Sequence, residues 1–416
     1  MNAHKKPSTR LRNAVVLACV VFTAGAQAQD AALLDAAKAE QPAVIETLRR
    51  LTAMDSGTGQ AEGIEQVAAI LETELKSLGA TVERLAAPPS IGPVVVGRLA
   101  GKGRGRVMMM AHMDTVYPAG TAQKRPFRVE GNRAIAPGIA DAKGGVAVIL
   151  HSLRLLKARG FDDFASITVL FNPDEEQGSR GSNRLIEKFA GENDAVLSFE
   201  PSSAQFDIVL LGTSGTAGAR VEVTGKPAHA GVSPELGVNA IVELSDLVLR
   251  TLDLDDPKRG VRFNWTLSNG GEVSNIVPDK AWARADVRYA REEDLERTLA
   301  ALKERIAKKR LEGASLSLAV TLGMPAFNAN AEGTRLAGRA KEIYAEAGAQ
   351  LSLLERTGGG TDAAWAARSG KPVVEALGLP GAGYHSSNEE YVVIDKIAPR
   401  LYLAARLVME IAGAKR

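Results

Sequence analysis

The chain has 416 residues, 45% hydrophobic and 24% charged, which is longer than one hydrophobic core usually supports and has the composition of an ordinary globular protein. Its net charge is +2, and residues 1–28 carry Lys5, Lys6, Arg10 and Arg12 with no acid, so the remainder stands at −2. That balance offers no electrostatic footprint for nucleic acid, and the length predicts two structural units.

The basic start runs into "AVVLACVVFTAGA" and then "AQA" at 26–28, the order of a secretory signal peptide. Cleavage after Ala28 and export to a periplasm or the medium are expected. The apolar run falls short of the roughly 20 residues that span a bilayer, so no membrane association is expected after cleavage. Cys19, the only cysteine, lies inside this segment, and its preceding "VLA" is the second-ranked reading, a lipoprotein site. The mature chain therefore has no thiol, and any metal must be held by nitrogen and oxygen.

A helical pattern covers 61–79. Short apolar runs follow, "PVVVGRL", "VMMMA", "SITVLF", "AVLSF" and later "PVVEAL", between helix-like stretches near 143–159, 180–190, 330–347 and 396–412. Strands apolar on both faces that alternate with helices predict an α/β layer, a mostly parallel sheet with both faces covered. From 214 to 325 the order changes to strand, helix, strand, strand, helix, strand, that of a ferredoxin-like α+β unit. The expected organisation is a signal peptide (1–28), a catalytic domain in two parts (29–213 and 326–416), and an inserted domain (214–325). "TGGGTDA" at 357–363 lacks the Lys-Ser/Thr ending of a phosphate loop and reads as a turn whose backbone, at Gly360, lines a pocket.

Chemistry collects at the carboxyl ends of strands in such sheets. "VMMMA" runs into His112 and Asp114, "SITVLF" into Asp174, Glu175 and Glu176, and "AVLSF" into Glu200; Asp141 precedes a helix and His385 follows the last strand. Each alone reads as an ordinary surface polar group. Together, two histidines and three carboxylates suit two zinc ions, with one carboxylate shared. Asp114 is placed to accept the other imidazole N–H of His112. Neighbours on an extended chain point different ways, so Glu176 can ligate while Glu175 serves as general base. His151 reads as ordinary structure.

The run "HMDTV", "APGIADAKGG", "DEEQGSRGS", "FEP", "GKPAHAG", "GGEVSNIVP", "ERTGGGTDAA" and "GYHSSNEEY" resembles the di-zinc aminoacylase and carboxypeptidase family over essentially the whole mature chain. The resemblance implies that His112 and Glu200 bind one zinc, Glu176 and His385 the other, and that Asp141 bridges them. It implies Glu175 as base and proton shuttle, and a homodimer in which His229 reaches the partner's site to stabilise an oxyanion. It also implies Asn275 and Arg288 as ligands of the substrate's terminal carboxylate. Two departures stand out. Ile208 and Met324 replace basic residues of the family's glutamate-releasing members, and Ala142 follows the bridging aspartate, where the family's peptide bond is cis.

The expected function is a di-zinc exopeptidase acting on an N-acyl amino acid or small peptide. A second reading is an aminoacylase-like deacylase whose pocket Ile208 and Met324 suit to apolar groups. A third is a periplasmic metal- or peptide-binding protein without catalysis, which would have no use for Glu175. Cobalt or manganese could occupy the same ligands.

Overall fold

The computed structural model describes Met1, residues 29–386 and residues 389–414, so the expected signal segment with Cys19 lies outside the described residues. Helix α1, Ala31–Thr52, opens the described chain, capped by Asp30, whose carboxylate accepts from the Leu33 N–H at 3.1 Å. The sequence reading did not anticipate it. Pro42 in its interior hides a stripe, Leu33, Leu34, Ala37, Val44, Leu48 and Leu51, that is buried throughout. Helix α2, Ala61–Leu78, ends at Gly79, whose φ of 96° suits glycine.

The main sheet follows: β1 (Thr81–Ala86), β2 (Pro93–Ala100), β3 (Arg106–His112), helix α3 (Gly145–Ala158), β4 (Ser166–Asn172), helix α4 (Asn183–Gly191) and β5 (Ala195–Ser198). A second sheet is built from β6 (Gly215–Thr224), helix α5 (Ala240–Leu249), β7 (Val261–Gly270), β8 (Lys280–Tyr289), helix α6 (Glu292–Ala307) and β9 (Ser315–Leu322). Helix α7 (Ala331–Glu346), β10 (Val373–Val374) and helix α8 (Ile397–Gly413) return to the first sheet.

The main sheet has the order β1-β2-β4-β3-β5-β10. Its inner part, β4, β3, β5 and β10, is parallel, while β2 pairs antiparallel with both β1 and β4. The expected mostly parallel sheet thus becomes a mixed one at this edge. Continuous apolar runs have a direct cause here. Val107, Met109 and Ala111 of β3 face a core shared with α1, α2, α3, α7 and α8, whereas Met108 and Met110 face a second core under α4. With both faces dry, residues 107–111 are all apolar, and His112 at the strand's end is the first polar residue after them.

The second sheet has the order β7-β8-β6-β9, antiparallel throughout, which is the ferredoxin-like arrangement. Its helices cover the face carrying Ala219, Val221, Ala283, Ala285 and Val287. Alternate residues, among them Arg220, Arg284, Asp286 and Arg288, occupy the other face. A small five-stranded sheet, from residues 128–130, 133–135, 202–203, 380–382 and 391–393, was not anticipated, because two- and three-residue strands leave no periodicity to read. Among the described residues no helix is long and apolar enough to cross a membrane.

His151 ties α3 to α1. Its ring is fully buried, with Nε2 2.8 Å from the Thr47 hydroxyl and Nδ1 2.6 Å from the Glu40 carboxylate. Burial depresses its pKa below the usual 6.5, against the opposing pull of Glu40. The unfolded chain therefore takes up this proton more readily, so the site's contribution to stability is present above about pH 6.5 and is lost as pH falls below it. The expected outcome is that thermal unfolding midpoints of His151→Gln, measured between pH 7 and 5, fall less steeply with acid than those of the parent protein; equal slopes would remove the assignment.

Candidate metal centre

The parallel register delivers the site. His112 at the end of β3 pairs with Asn172 at the end of β4, and the Phe199 N–H bonds to the Met110 carbonyl, so residues just beyond these strands meet at one edge. The His112 ring is fully buried, with Nδ1 3.0 Å from the Asp114 carbonyl oxygen and 3.3 Å from its Oδ1. Two acceptors at Nδ1 fix a proton there and leave Nε2 as the atom that would meet a cation. That Nε2 lies 3.0 Å from Asp141 Oδ1 and 3.6 Å from Glu200 Oε2. On the other side His385 Nε2 lies 3.1 Å from Asp141 Oδ2 and 3.0 Å from Glu176 Oε2. His112, Asp141 and Glu200 form one candidate ligand group, Asp141, Glu176 and His385 the other, each with its atoms within 4.8 Å of one another. Asp141 belongs to both, one oxygen to each.

Electrostatics here are those of a site built around positive charge. Burial raises Glu175 well above the usual carboxylate range, helped by the charge of Glu200; it also raises Glu200, and it takes Glu176 up to about 7 against the hydrogen bond from His385. Asp141 is buried too, yet hydrogen bonds from His112 and His385 hold it low. Contacts with Asp141 and Glu176 push His385 up to about 10. The imidazoles thus tend to keep protons among the carboxylates, and a bound cation would displace them. Nitrogen and oxygen donors in two groups of three fit zinc, and three protein ligands leave coordination positions open, as at catalytic rather than structural sites.

Supporting contacts explain the crowded "DEE". The Asp114 carboxylate accepts from the backbone N–H of Glu175 at 3.1 Å and of Glu176 at 3.2 Å, and from the Thr58 hydroxyl at 2.6 Å. Asp174 faces away, accepting from the hydroxyls of Ser90 and Ser182 and from the Gly181 N–H. Behind it Asp362 accepts from Asn172 and Ser179. Of the three acids one anchors structure, one enters a ligand group, and Glu175 alone stays uncommitted at the cavity wall. Sequence reasoning missed Glu390. Its buried carboxylate accepts from the N–H groups of Gly138, Ala140 and Asp141, at 2.7, 2.8 and 3.0 Å, and from the Tyr117 hydroxyl. The bond between Asp141 and Ala142 is cis, the form in question at that position. Glu390 was visible only as one more acid in "NEEY".

A cavity of about 600 Å³ fronts Glu175, Glu176 and His385, and Arg288, Met324 and Gly360 line it. Ile208 is not part of that lining; it sits on residues 208–210, paired with 352–354, where Ser202 and Arg400 hold its backbone. Arg288 is already held by both oxygens of Asp286, at 2.8 and 3.1 Å. His229 and Asn275 are brought together, but outside this cavity, where Ala228–His229 pairs with Ile276–Val277 and the Ala230 N–H bonds to the Asn275 carbonyl. The exposed His229 ring accepts at Nδ1 from the N–H groups of Gly231 and Val232, which puts its own proton on Nε2.

Residues 108–410 match the model of peptidase family M20/M25/M40. The chain is 53% identical over 408 residues to carboxypeptidase G2 of Pseudomonas sp. (strain RS-16), covering 98% of both chains. In fold it is similar to the aminopeptidase PepT of Bacillus cereus, with a TM-score of 0.77 and 23% identity over 89% of this chain and 99% of that one. It is likewise similar to a tripeptidase of Staphylococcus aureus, with a TM-score of 0.78 and 22% identity over 90% and 99%.

If both groups hold cations, removing the shared carboxylate should empty both and removing an unshared one should empty only its own. After dialysis into metal-free buffer, elemental analysis is expected to find little metal in Asp141→Ala and about half the parent content in Glu176→Ala. Full occupancy in Asp141→Ala would sink the shared-ligand geometry.

Proposed function

The chain belongs to peptidase family M20/M25/M40, and on that premise we propose that it is a zinc-dependent carboxypeptidase that hydrolyses the amide of an N-acyl amino acid or peptide to release the C-terminal amino acid. The observation that carries this reading is Asp141 with one oxygen in each ligand group, beside a buried Glu175 that belongs to neither. When bound, two zinc ions supply Lewis acidity toward the amide carbonyl and bring the pKa of a coordinated water to about 7.

The chain's own residues supply the rest. Glu175, its backbone fixed by Asp114 and its carboxylate inclined by burial to hold a proton, takes one from water and delivers it to the leaving amine. His229 has its proton on Nε2, the form that donates to an oxyanion. Arg288 and Asn275 take the terminal carboxylate, with Asp286 orienting the Arg288 guanidinium.

His229 and Asn275 lie outside the cavity of their own chain, which supports a homodimer in which they serve the partner's site. Exposed Val232, Leu236, Ile241, Val242, Val273 and Ile276 near them supply an apolar surface for that contact. The basic, apolar and small-residue order of residues 1–28 supports export. Met324 and the neighbouring Leu322 on the cavity wall favour, as a second reading, an aminoacylase-like preference for apolar leaving groups. A non-catalytic binding protein would leave Glu175 without a task.

Glu175→Ala is expected to abolish turnover while retaining the full metal content; turnover in that variant would end its assignment as the base. His229→Ala should lower kcat by about 10²- to 10³-fold, the usual cost of one oxyanion donor. Mixing inactive Glu175→Ala and His229→Ala subunits should restore part of the activity through heterodimers that hold one intact site. No recovery despite subunit exchange would place His229 in its own chain's site.

A further inference from the structure

The face of the second sheet that looks into the cavity carries three arginines, one on β6 and two on β8, and their partners differ. Arg220 on the adjacent β6 bonds to Glu222 at 2.9 Å and stacks on Trp282 at 4.0 Å. Arg288 occupies both oxygens of Asp286. Arg284, directly opposite Arg220 in the β6–β8 register, has neither an acid nor a carbonyl partner for its side chain among the described residues, although it lines the same cavity as Glu175 and His385. Its guanidinium lies over Gly218, where a Cβ would stand 3.3 Å from Nη2 and 3.4 Å from Nε. Glycine at that position is what leaves room for a planar cation on the sheet. Across the cavity, the side chain of Arg180 is also without a partner among the described residues.

A guanidinium stays charged at any working pH and presents a fork that fits a carboxylate. Left unpaired in a concave site, two of them make that site attractive to a second negative charge on the ligand. We propose that Arg284, with Arg180 facing it, is a subsite for a second anionic group on the substrate, beyond the terminal carboxylate assigned to Arg288. This proposal rests on the carboxypeptidase reading and sharpens it. Met324 is apolar and gives the cavity no charge, so Arg284 and Arg180 are what decide whether an anionic group is accepted there. The second anion has two possible sources, the side chain of the leaving amino acid or the acyl portion, and the chemistry of recognition is the same for both.

The test uses the zinc-loaded full-length protein and two matched pairs, N-benzoyl-glutamate against N-benzoyl-glutamine, and N-succinyl-leucine against N-butyryl-leucine. The parent protein is expected to prefer the extra carboxylate in one pair, which identifies the source, and Arg284→Met should shrink that kcat/KM ratio by about ten- to hundred-fold, the worth of a charge-assisted hydrogen bond. Arg180→Gln should shrink it in the same pair. No preference in either pair, or a ratio unmoved by Arg284→Met, overturns the subsite while leaving the carboxypeptidase reading intact. Should none of the four compounds be hydrolysed, that reading fails first, and calorimetric binding decides the subsite separately. Tighter binding of glutamate over glutamine, or of succinate over butyrate, that disappears in Arg284→Met supports it; binding differences that survive overturn it.

Discussion

Carboxylates repel one another and resist leaving water, and at one edge of this sheet Asp141, Glu175, Glu176 and Glu200 crowd around two imidazoles in a largely buried site. Few arrangements tolerate that density. Each oxygen must find a proton, a donor or a cation, and the surrounding chain is shaped by meeting that demand. The shared Asp141 is held low by two histidines, while burial drives Glu175 and Glu200 up, with the charge of Glu200 adding to the rise at Glu175. What separates a candidate ligand from the proposed base in this cluster is geometry: Glu176 contacts His385, whereas Glu175 lines the cavity and joins neither ligand group.

Two further acids do the positioning without joining either ligand group. Asp114 holds the backbone of Glu175 and Glu176 and also meets His112, so one residue sets the relative placement of a candidate ligand pair and the proposed base. Glu390 gathers three N–H groups of the loop that presents Asp141. Both work through charge-assisted bonds to backbone, which fix a loop more firmly than neutral contacts do. The outer wall of the cavity is a different surface, contributed by the second sheet, and its charges can vary without disturbing this inner arrangement.

Much of this was legible beforehand because of the sheet. Strands buried on both faces give unbroken apolar runs, and polar residues that follow closely after each run, His112, Glu175 with Glu176, and Glu200, fall at the candidate metal centre. The second sheet was readable from alternation and from its element order. Other parts left no local trace. Pro42 masks α1, and the five-stranded sheet is made of strands too short for a period. Glu390 looks like any acid because its donors lie 249 to 273 residues upstream. Ile208 was expected at the cavity wall, yet strand pairing with 352–354 carries it elsewhere. Contacts between distant positions, rather than residue type, decide these cases.

The span between Glu390 and the loop it grips bears on how the molecule comes into being. During synthesis β3, β4 and β5 have left the ribosome long before residues 385 and 390 are translated, so the early chain carries a cluster of acids without the histidine and the carboxylate that complete it. Closing a loop of this length costs more chain entropy than local pairing does, so completing the centre depends on the C-terminal segment as well as on the sheet. A product truncated before residue 385 can still contain most of the sheet, but it lacks one imidazole and the clasp on Asp141, and so it remains a scaffold with an unfinished site.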